Sequence, residues 1–95
     1  LGQEKRGARR VPIHCPMQII CADGTTYSGT ALDLSVDGIL FESPISLAPA
    51  QAAQVRLSPP ARSAISPLSA AIEVIRCEPL EGGQFRIAAA LRALC

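Results

Sequence analysis

Aromatic side chains are scarce in this chain of 95 residues: they make up 3% of it, tryptophan is absent and there is one tyrosine. A protein that stacks successive bases of a single-stranded nucleic acid needs several aromatic rings, so the composition disfavours that class. The formal net charge is only +1, whereas proteins that bind nucleic-acid polymers usually carry a larger basic excess. We therefore expect no nucleic-acid polymer among the partners of this protein.

Patterns typical of zinc sites, secretion and membrane spans are also missing. The four cysteines, Cys15, Cys21, Cys77 and Cys95, form no C-x-x-C pair and show no Cys/His spacing of a zinc site. No apolar run reaches the roughly 18 residues of a membrane span, and the charged start lacks the apolar segment of a signal peptide. We expect free, partly buried thiols in a reducing cytoplasm, no cofactor, and no membrane span within these residues.

Catalytic patterns are weak. His14 is the only histidine, and alternation places it on the face of its strand opposite the apolar side chains. No G-x-S-x-G nucleophile turn occurs. Glu73, Glu78 and Glu81 are scattered over strand and turn surfaces and form no acid–base pair in a credible pocket. We therefore predict that the protein is not an enzyme.

Alternating apolar residues predict an all-β fold. Every second residue is apolar over Val11–Cys21, which indicates a strand with one buried face. Since Pro12 and Pro16 cannot donate to a ladder, this strand should be an edge or have one unpaired side near its start. Regular spacing and the absence of a crossover helix favour a six-stranded antiparallel β-barrel with little or no helix. The further predicted strands are 25–34, 39–41, 54–58, 69–77 and 84–91.

Two stretches leave the side-chain pattern open. In the fifth predicted strand Ala70, Ile72 and Val74 form an apolar face, to which Arg76 would also belong if the alternation stays regular. The alanine-rich end of the chain suits a helix as well as a strand by propensity, so both remain possible for residues 88–95.

Basic residues are concentrated near the N-terminus, where Lys5, Arg6, Arg9 and Arg10 occur together. Residues 1–10 are polar with two glycines, so we predict a flexible N-terminal arm over 1–10 and a barrel domain over 11–95. Arginine presents a planar fork of donors that fits phosphate oxygens and the O6/N7 edge of guanine. Arg6 and Arg10 could close on a ligand together, although such a cluster alone is more often a solvated basic tail.

The turn after the second predicted strand reads Asp33-Leu-Ser35-Val-Asp-Gly38. The Asp33 carboxylate can accept hydrogen bonds from guanine N1–H and N2–H₂, and the Ser35 hydroxyl can bond to a base or a phosphate. Gly38 permits positive φ and close approach of the backbone. Taken alone, the same residues are those of an ordinary Asx turn that leads into a hairpin.

The two motifs together, in this order around one strand-turn-strand unit, resemble the PilZ family of bacterial cyclic di-GMP receptors. That family is marked by R-x-x-x-R before the first strand and [D/N]-x-S-x-x-G after the second. The resemblance implies a PilZ-like split barrel whose arginine arm folds over the ligand. It further implies that Arg6 and Arg10 contact guanine and phosphate, and that Asp33, Ser35 and Gly38 form a pocket on the barrel surface.

The resemblance extends to three further positions. Lys5 precedes the first motif, and a basic residue there is similar to relatives that hold a stacked pair of ligands. Arg9 would be either a phosphate contact or a solvated charge. Relatives often have a glycine and then an aromatic residue in the last strand, where this chain has Ala88 and Leu91. Ala88 would still let a guanine approach, though less freely than glycine.

The function implied by the resemblance is that of a cyclic di-GMP receptor in the bacterial cytoplasm. Ligand binding would order the arm and change contacts with a downstream protein or an adjoining domain. The alternative is a ligand-independent PilZ-like adaptor, for example in pilus or motility machinery. Because such adaptors have lost the two motifs and this sequence keeps them, we favour the receptor.

Overall fold

The computed structural model describes residues 9–60 and 67–94. In them the chain forms a barrel of strands, with one short 3₁₀ turn at Glu81–Gly83 between the last two. This confirms the predicted all-β class with little helix, while Lys5, Arg6 and most of the predicted arm lie outside the described residues. The strands are β1 (Val11–Cys21), β2 (Thr26–Leu34), β3 (Gly38–Ser43), β4 (Ala52–Leu57), β5 (Leu68–Pro79) and β6 (Phe85–Leu94).

The barrel is closed in the order β1-β2-β3-β6-β5-β4, and all neighbouring strands are antiparallel. On its β4 side, β1 is paired only from Met17 to Cys21. One more bond joins the backbone N–H of Ser58 to the Pro16 carbonyl oxygen at 2.9 Å. The half of β1 that contains Pro12 therefore has one open side in the described structure, as the prolines predicted.

The core is aliphatic around a single fully buried ring, Phe41 of β3. Leu47, in the connection between β3 and β4, is 4% exposed and covers one end of the barrel. Burying each large apolar side chain stabilises the fold by roughly 1.5–3 kcal/mol, and the inward positions of all six strands contribute. The largest buried aliphatic side chains are those of Ile19, Ile39, Leu57, Ile72, Ile87 and Val55.

The alanine-rich end of the chain is a strand. β6 pairs with β3 on one side and with β5 on the other, and it continues to Leu94. Alanine favours a helix in isolation, but pairing on both sides and burial of Ile87 and Ala89 outweigh that preference.

A bulge in β2 decides which way Asp33 faces. Ala31 and Asp33 pair with the successive β3 residues Phe41 and Leu40, so Leu32 is an extra residue in β2. Ala31 is fully buried, and regular alternation would have turned Asp33 inward as well. The extra residue instead places Asp33 on the outer face and Leu34 against the core.

A second bulge, in β5, turns Arg76 outward. Val74 and Arg76 pair with the successive β6 residues Ala89 and Ala88, so the extra residue is Ile75. The expectation that Arg76 follows Val74 on the apolar face is therefore wrong. The Arg76 side chain is 63% exposed, and Cys77 packs against the core in its place. No sequence pattern distinguished this bulge from regular alternation.

Candidate ligand-binding site

Arg10 and Asp33 form the centre of the candidate site. Arg10 lies directly before β1 and donates from Nη1 to Asp33 Oδ1 at 2.7 Å. Its guanidinium also covers Gly38, because a Cβ added at Gly38 would lie 3.8 Å from Arg10 Nη2. Three residues predicted from the two motifs therefore meet on the outer face of β2 and β3.

The Arg10–Asp33 ion pair remains accessible to a ligand. The two side chains are 54% and 22% exposed, and ion pairs at such exposure usually contribute less than about 1 kcal/mol to stability. Guanidinium has five N–H donors and carboxylate has two acceptor oxygens, so one contact leaves most of this capacity for other groups. The pair can thus hold its geometry and still bind a group with both donors and acceptors.

The Ser35 side chain forms hydrogen bonds within the turn between β2 and β3. Its hydroxyl donates to Asp37 Oδ1 at 2.8 Å and accepts from the Gly38 backbone N–H at 3.1 Å. Its own backbone N–H donates to the Gly38 carbonyl oxygen at 2.9 Å. The side chain is 8% exposed, and a hydroxyl oxygen with two lone pairs keeps one of them for a ligand. Contact between Ser35 and a ligand stays a prediction.

Asp37 was not predicted as a site residue, yet it fixes the position of the turn. Its carboxylate accepts from Ser35, and its backbone carbonyl oxygen accepts from the Leu91 N–H of β6 at 3.0 Å. These bonds tie the β2–β3 turn to the last strand. The sequence placed Asp37 in a turn but could not show that the turn is fastened to β6.

Of the two properties that glycine permits at position 38, positive φ is not used, since the backbone lies outside the left-handed region. What the position requires is space. A Cβ there would come within 3.1 Å of the Ala89 carbonyl oxygen and 3.9 Å of the Ser35 hydroxyl. Glycine at this position thus lets the Arg10 side chain and the neighbouring strand β6 approach closely.

Small outward side chains continue from Gly38 onto β6. Ala90 pairs with Gly38, and Ala88 pairs with Leu40. Because Ile87 and Ala89 point into the core, alternation directs Ala88 and Ala90 outward. We call Gly38, Leu40, Ala88 and Ala90 the floor of the site. A flat ligand can approach the sheet closely over such side chains.

The floor was only partly predicted. Ala88 was expected at the site, whereas Leu40 and Ala90 were missed. Both stand two positions along a strand from a predicted residue, Leu40 after Gly38 and Ala90 after Ala88. Two-residue periodicity could therefore have found them.

Arg9 lies apart from this centre. It lines a shallow cleft of about 340 Å³ together with the predicted site residue Ser35 and the apolar side chains of Val11, Ile13, Leu34 and Val36. The choice between phosphate contact and solvated charge for Arg9 stays open.

The described thiols are free and sheltered, as expected. Cys15 is buried, while Cys21 and Cys77 are half-buried. Burial raises the pKa of the Cys15 thiol, and burial followed by the charge of Asp23 raises the pKa of Cys21. Neither favours the reactive thiolate. Within 9–60 and 67–94, no group of His, Cys, Asp and Glu could hold a metal ion.

No helix in the part of the chain that the structure describes has the length and apolar character needed to cross a membrane.

Comparison with known proteins assigns the family. The PilZ domain family model matches residues 4–93, so the chain belongs to the PilZ domain family. No curated protein matched the sequence significantly.

Two solved structures share the fold. The inhibitor of motility MotI/DgrA of Bacillus subtilis superposes with a TM-score of 0.77 at 11% identity, over 98% of this chain and 45% of that one. The PilZ domain of YcgR from Escherichia coli, solved with c-di-GMP, superposes with a TM-score of 0.69 at 15% identity, over 93% and 78%. This chain therefore spans less than half of MotI/DgrA, and these identities support a common fold alone.

Proposed function

We propose that this chain is a cyclic di-GMP receptor domain of the bacterial cytoplasm and is not an enzyme. The observation that carries the proposal is the Arg10–Asp33 ion pair, which lies above Gly38 at one end of the uncharged floor. Arg10 and Asp33 are 23 positions apart in the sequence, belong to the two motifs of the family, and meet on one accessible face. The solved YcgR domain with c-di-GMP adds support through its shared fold.

Recognition would follow from the chemistry of these two groups. Guanine presents N1–H and N2–H₂ on one edge, which a carboxylate can accept, and O6 and N7 on another, which a guanidinium can donate to. Adenine has neither N1–H nor N2–H₂, and its N6–H₂ stands where guanine has O6, so adenine would leave Asp33 without the two adjacent donors. Sites that rely on such hydrogen bonds reject analogues lacking the donors strongly. The proposed site is therefore selective for guanine.

The signal would pass through the N-terminal arm. Arg6 and Arg10 would close on the ligand, Lys5 would favour a stacked pair of ligands, and Arg9 would contact phosphate or stay solvated. Ordering of residues 1–10 would present a new surface to a downstream protein or an adjoining domain. MotI/DgrA is named as an inhibitor of motility, so we place the partner in motility or pilus machinery.

A ligand-independent adaptor is the second candidate. It is favoured by apolar side chains that stand in solvent at the end of the barrel near the site, with Val36 88% and Leu94 70% exposed. Exposed apolar clusters often mark protein contacts. This surface would serve a receptor equally, so ligand binding decides between the two.

The proposal is tested by calorimetric titration with cyclic di-GMP, and cyclic di-AMP is the control ligand. We expect saturable binding of cyclic di-GMP, little binding of cyclic di-AMP, and loss of binding in Arg10→Ala. Arg56→Ala is the control, since Arg56 is exposed on β4, the strand opposite β3 in the barrel order. Absence of heat at tens of micromolar cyclic di-GMP would refute the receptor and favour the adaptor.

A further inference from the structure

A further arginine faces the floor from the side opposite Asp33. Asp33 pairs with Leu40, Leu40 with Ala88, and Ala88 with Arg76. The four residues therefore form one row across β2, β3, β6 and β5. Neighbouring strands are about 4.8 Å apart, so the backbones at the two ends of the row are separated by about 14 Å.

Both ends of this row owe their outward direction to bulges. Leu32 is the extra residue before Asp33, and Ile75 is the extra residue before Arg76. Without either bulge, regular alternation would direct the corresponding side chain into the core. Bulges commonly re-aim side chains beside functional sites. A shared outward direction at both ends, with the uncharged side chains of Leu40 and Ala88 between them, indicates that a ligand can contact the whole width of this surface.

Among the arginines that form ion pairs in the described structure, Arg76 has the longest pair distance. Its Nε lies 3.9 Å from Glu78 Oε2, and the two side chains are 63% and 57% exposed. The other described ion pairs are shorter, with distances of 2.7 Å, 3.4 Å and 2.9 Å for Arg10, Arg86 and Arg92. A long, exposed pair contributes little to stability, so the Arg76 guanidinium is available to a ligand.

We propose that Arg76 forms the far side of the ligand site, where its guanidinium stacks on the guanine remote from Asp33. The inference rests on the proposed function. A cyclic dinucleotide carries a second guanine, and Asp33 and Arg10 account for contacts at one end of the floor only. Arginine is suited to the other end because its planar cation stacks on a purine face, which the ammonium of lysine does not reproduce.

The test is a calorimetric titration of the whole chain with cyclic di-GMP, with Arg76→Ala, Arg76→Lys and Arg56→Ala compared with the unsubstituted protein. For a stacked cation we expect Arg76→Ala to raise the Kd about 5- to 30-fold. Arg76→Lys should recover only a minor part of this loss, and Arg56→Ala should leave the Kd within a factor of two. Thermal melts of each variant without ligand check the fold.

The outcomes separate the two proposals. If the unsubstituted chain binds and Arg10→Ala does not, but Arg76→Ala binds with unchanged Kd, the role of Arg76 is refuted and the receptor stands. Full recovery by Arg76→Lys would refute stacking and leave only a charge effect. If the unsubstituted chain does not bind, the receptor is refuted and the role of Arg76 with it.

Discussion

Replacing Asp33 by asparagine separates a structural ion pair from a ligand contact. The carboxylate is 22% exposed and bonds to Arg10 at 2.7 Å. An ion pair at this exposure contributes less than about 1 kcal/mol, so the free energy of unfolding should fall by no more than that. Asparagine has nearly the same shape, keeps one acceptor oxygen, and presents an NH₂ group where the second oxygen was.

The effect on ligand binding should be larger. A hydrogen bond to a charged group is worth about 1.5–3 kcal/mol. The substitution removes one such bond from guanine and places the asparagine NH₂ group opposite a guanine N–H, so that two donors face each other. Loss of that one bond corresponds to a rise in Kd of about 10- to 150-fold. The ratio between the two effects, rather than either alone, identifies Asp33 as a ligand residue.

Urea denaturation measures the first quantity and calorimetry with cyclic di-GMP measures the second. Asp23→Asn is the matched control, because Asp23 accepts the Thr25 backbone N–H at 2.9 Å in the turn at the other end of β2. It should lose stability by a similar amount and bind normally. A loss of several kcal/mol of stability in Asp33→Asn with unchanged Kd would show that the pair is structural and would refute the site.

The remaining predictions concern the floor and the core. Ala88→Leu should fill the space beside Leu40 and raise the Kd for cyclic di-GMP about 5- to 150-fold. Ala52→Leu, at an exposed position of β4, should leave the Kd unchanged. Equal calorimetric affinities of Ala88→Leu and the unsubstituted protein would show that the ligand does not lie over Ala88. Phe41→Ala should cost about 3–5 kcal/mol by urea denaturation, a large share of the ~5–15 kcal/mol typical of a domain. A loss below about 1 kcal/mol there would contradict the described packing. Cys15, which is 1% exposed and has a raised pKa, should escape N-ethylmaleimide in the native protein and react in urea, as read by mass spectrometry; rapid native labelling would place it outside the core.

The strands could be predicted from the sequence because alternation records burial directly. The bounds of β1 were predicted residue for residue, and the other strands overlapped their predictions. Alternation fails where the chain inserts an extra residue, so the outward direction of Arg76 could not be foreseen. The sequence did not distinguish helix from strand for residues 88–95. The helix propensity of alanine is a local property, whereas pairing with β3 and β5 is a tertiary effect.

The sequence predicted which residues belong to the candidate site. It predicted less well how these residues contact one another. Motif order connected Arg10 with Asp33, because guanidinium and carboxylate both suit a guanine ligand. Both left-handed φ and close approach were named as possible reasons for Gly38, and the sequence cannot distinguish a glycine needed for the first from one needed for the second. Nor could it show that the Ser35 hydroxyl is engaged within the turn. These features depend on which strand lies beside the turn.

The open side of β1 has a consequence for self-association. An unpaired strand side normally invites another chain to add to the sheet, which is a route to aggregation. Pro12 and Pro16 offer no N–H to such a chain, and His14, with φ at 44° within the bulge of β1, interrupts the flat edge that a second strand would need. The barrel can therefore leave the first half of β1 without a second neighbouring strand among the described residues and still present a poor template for intermolecular pairing.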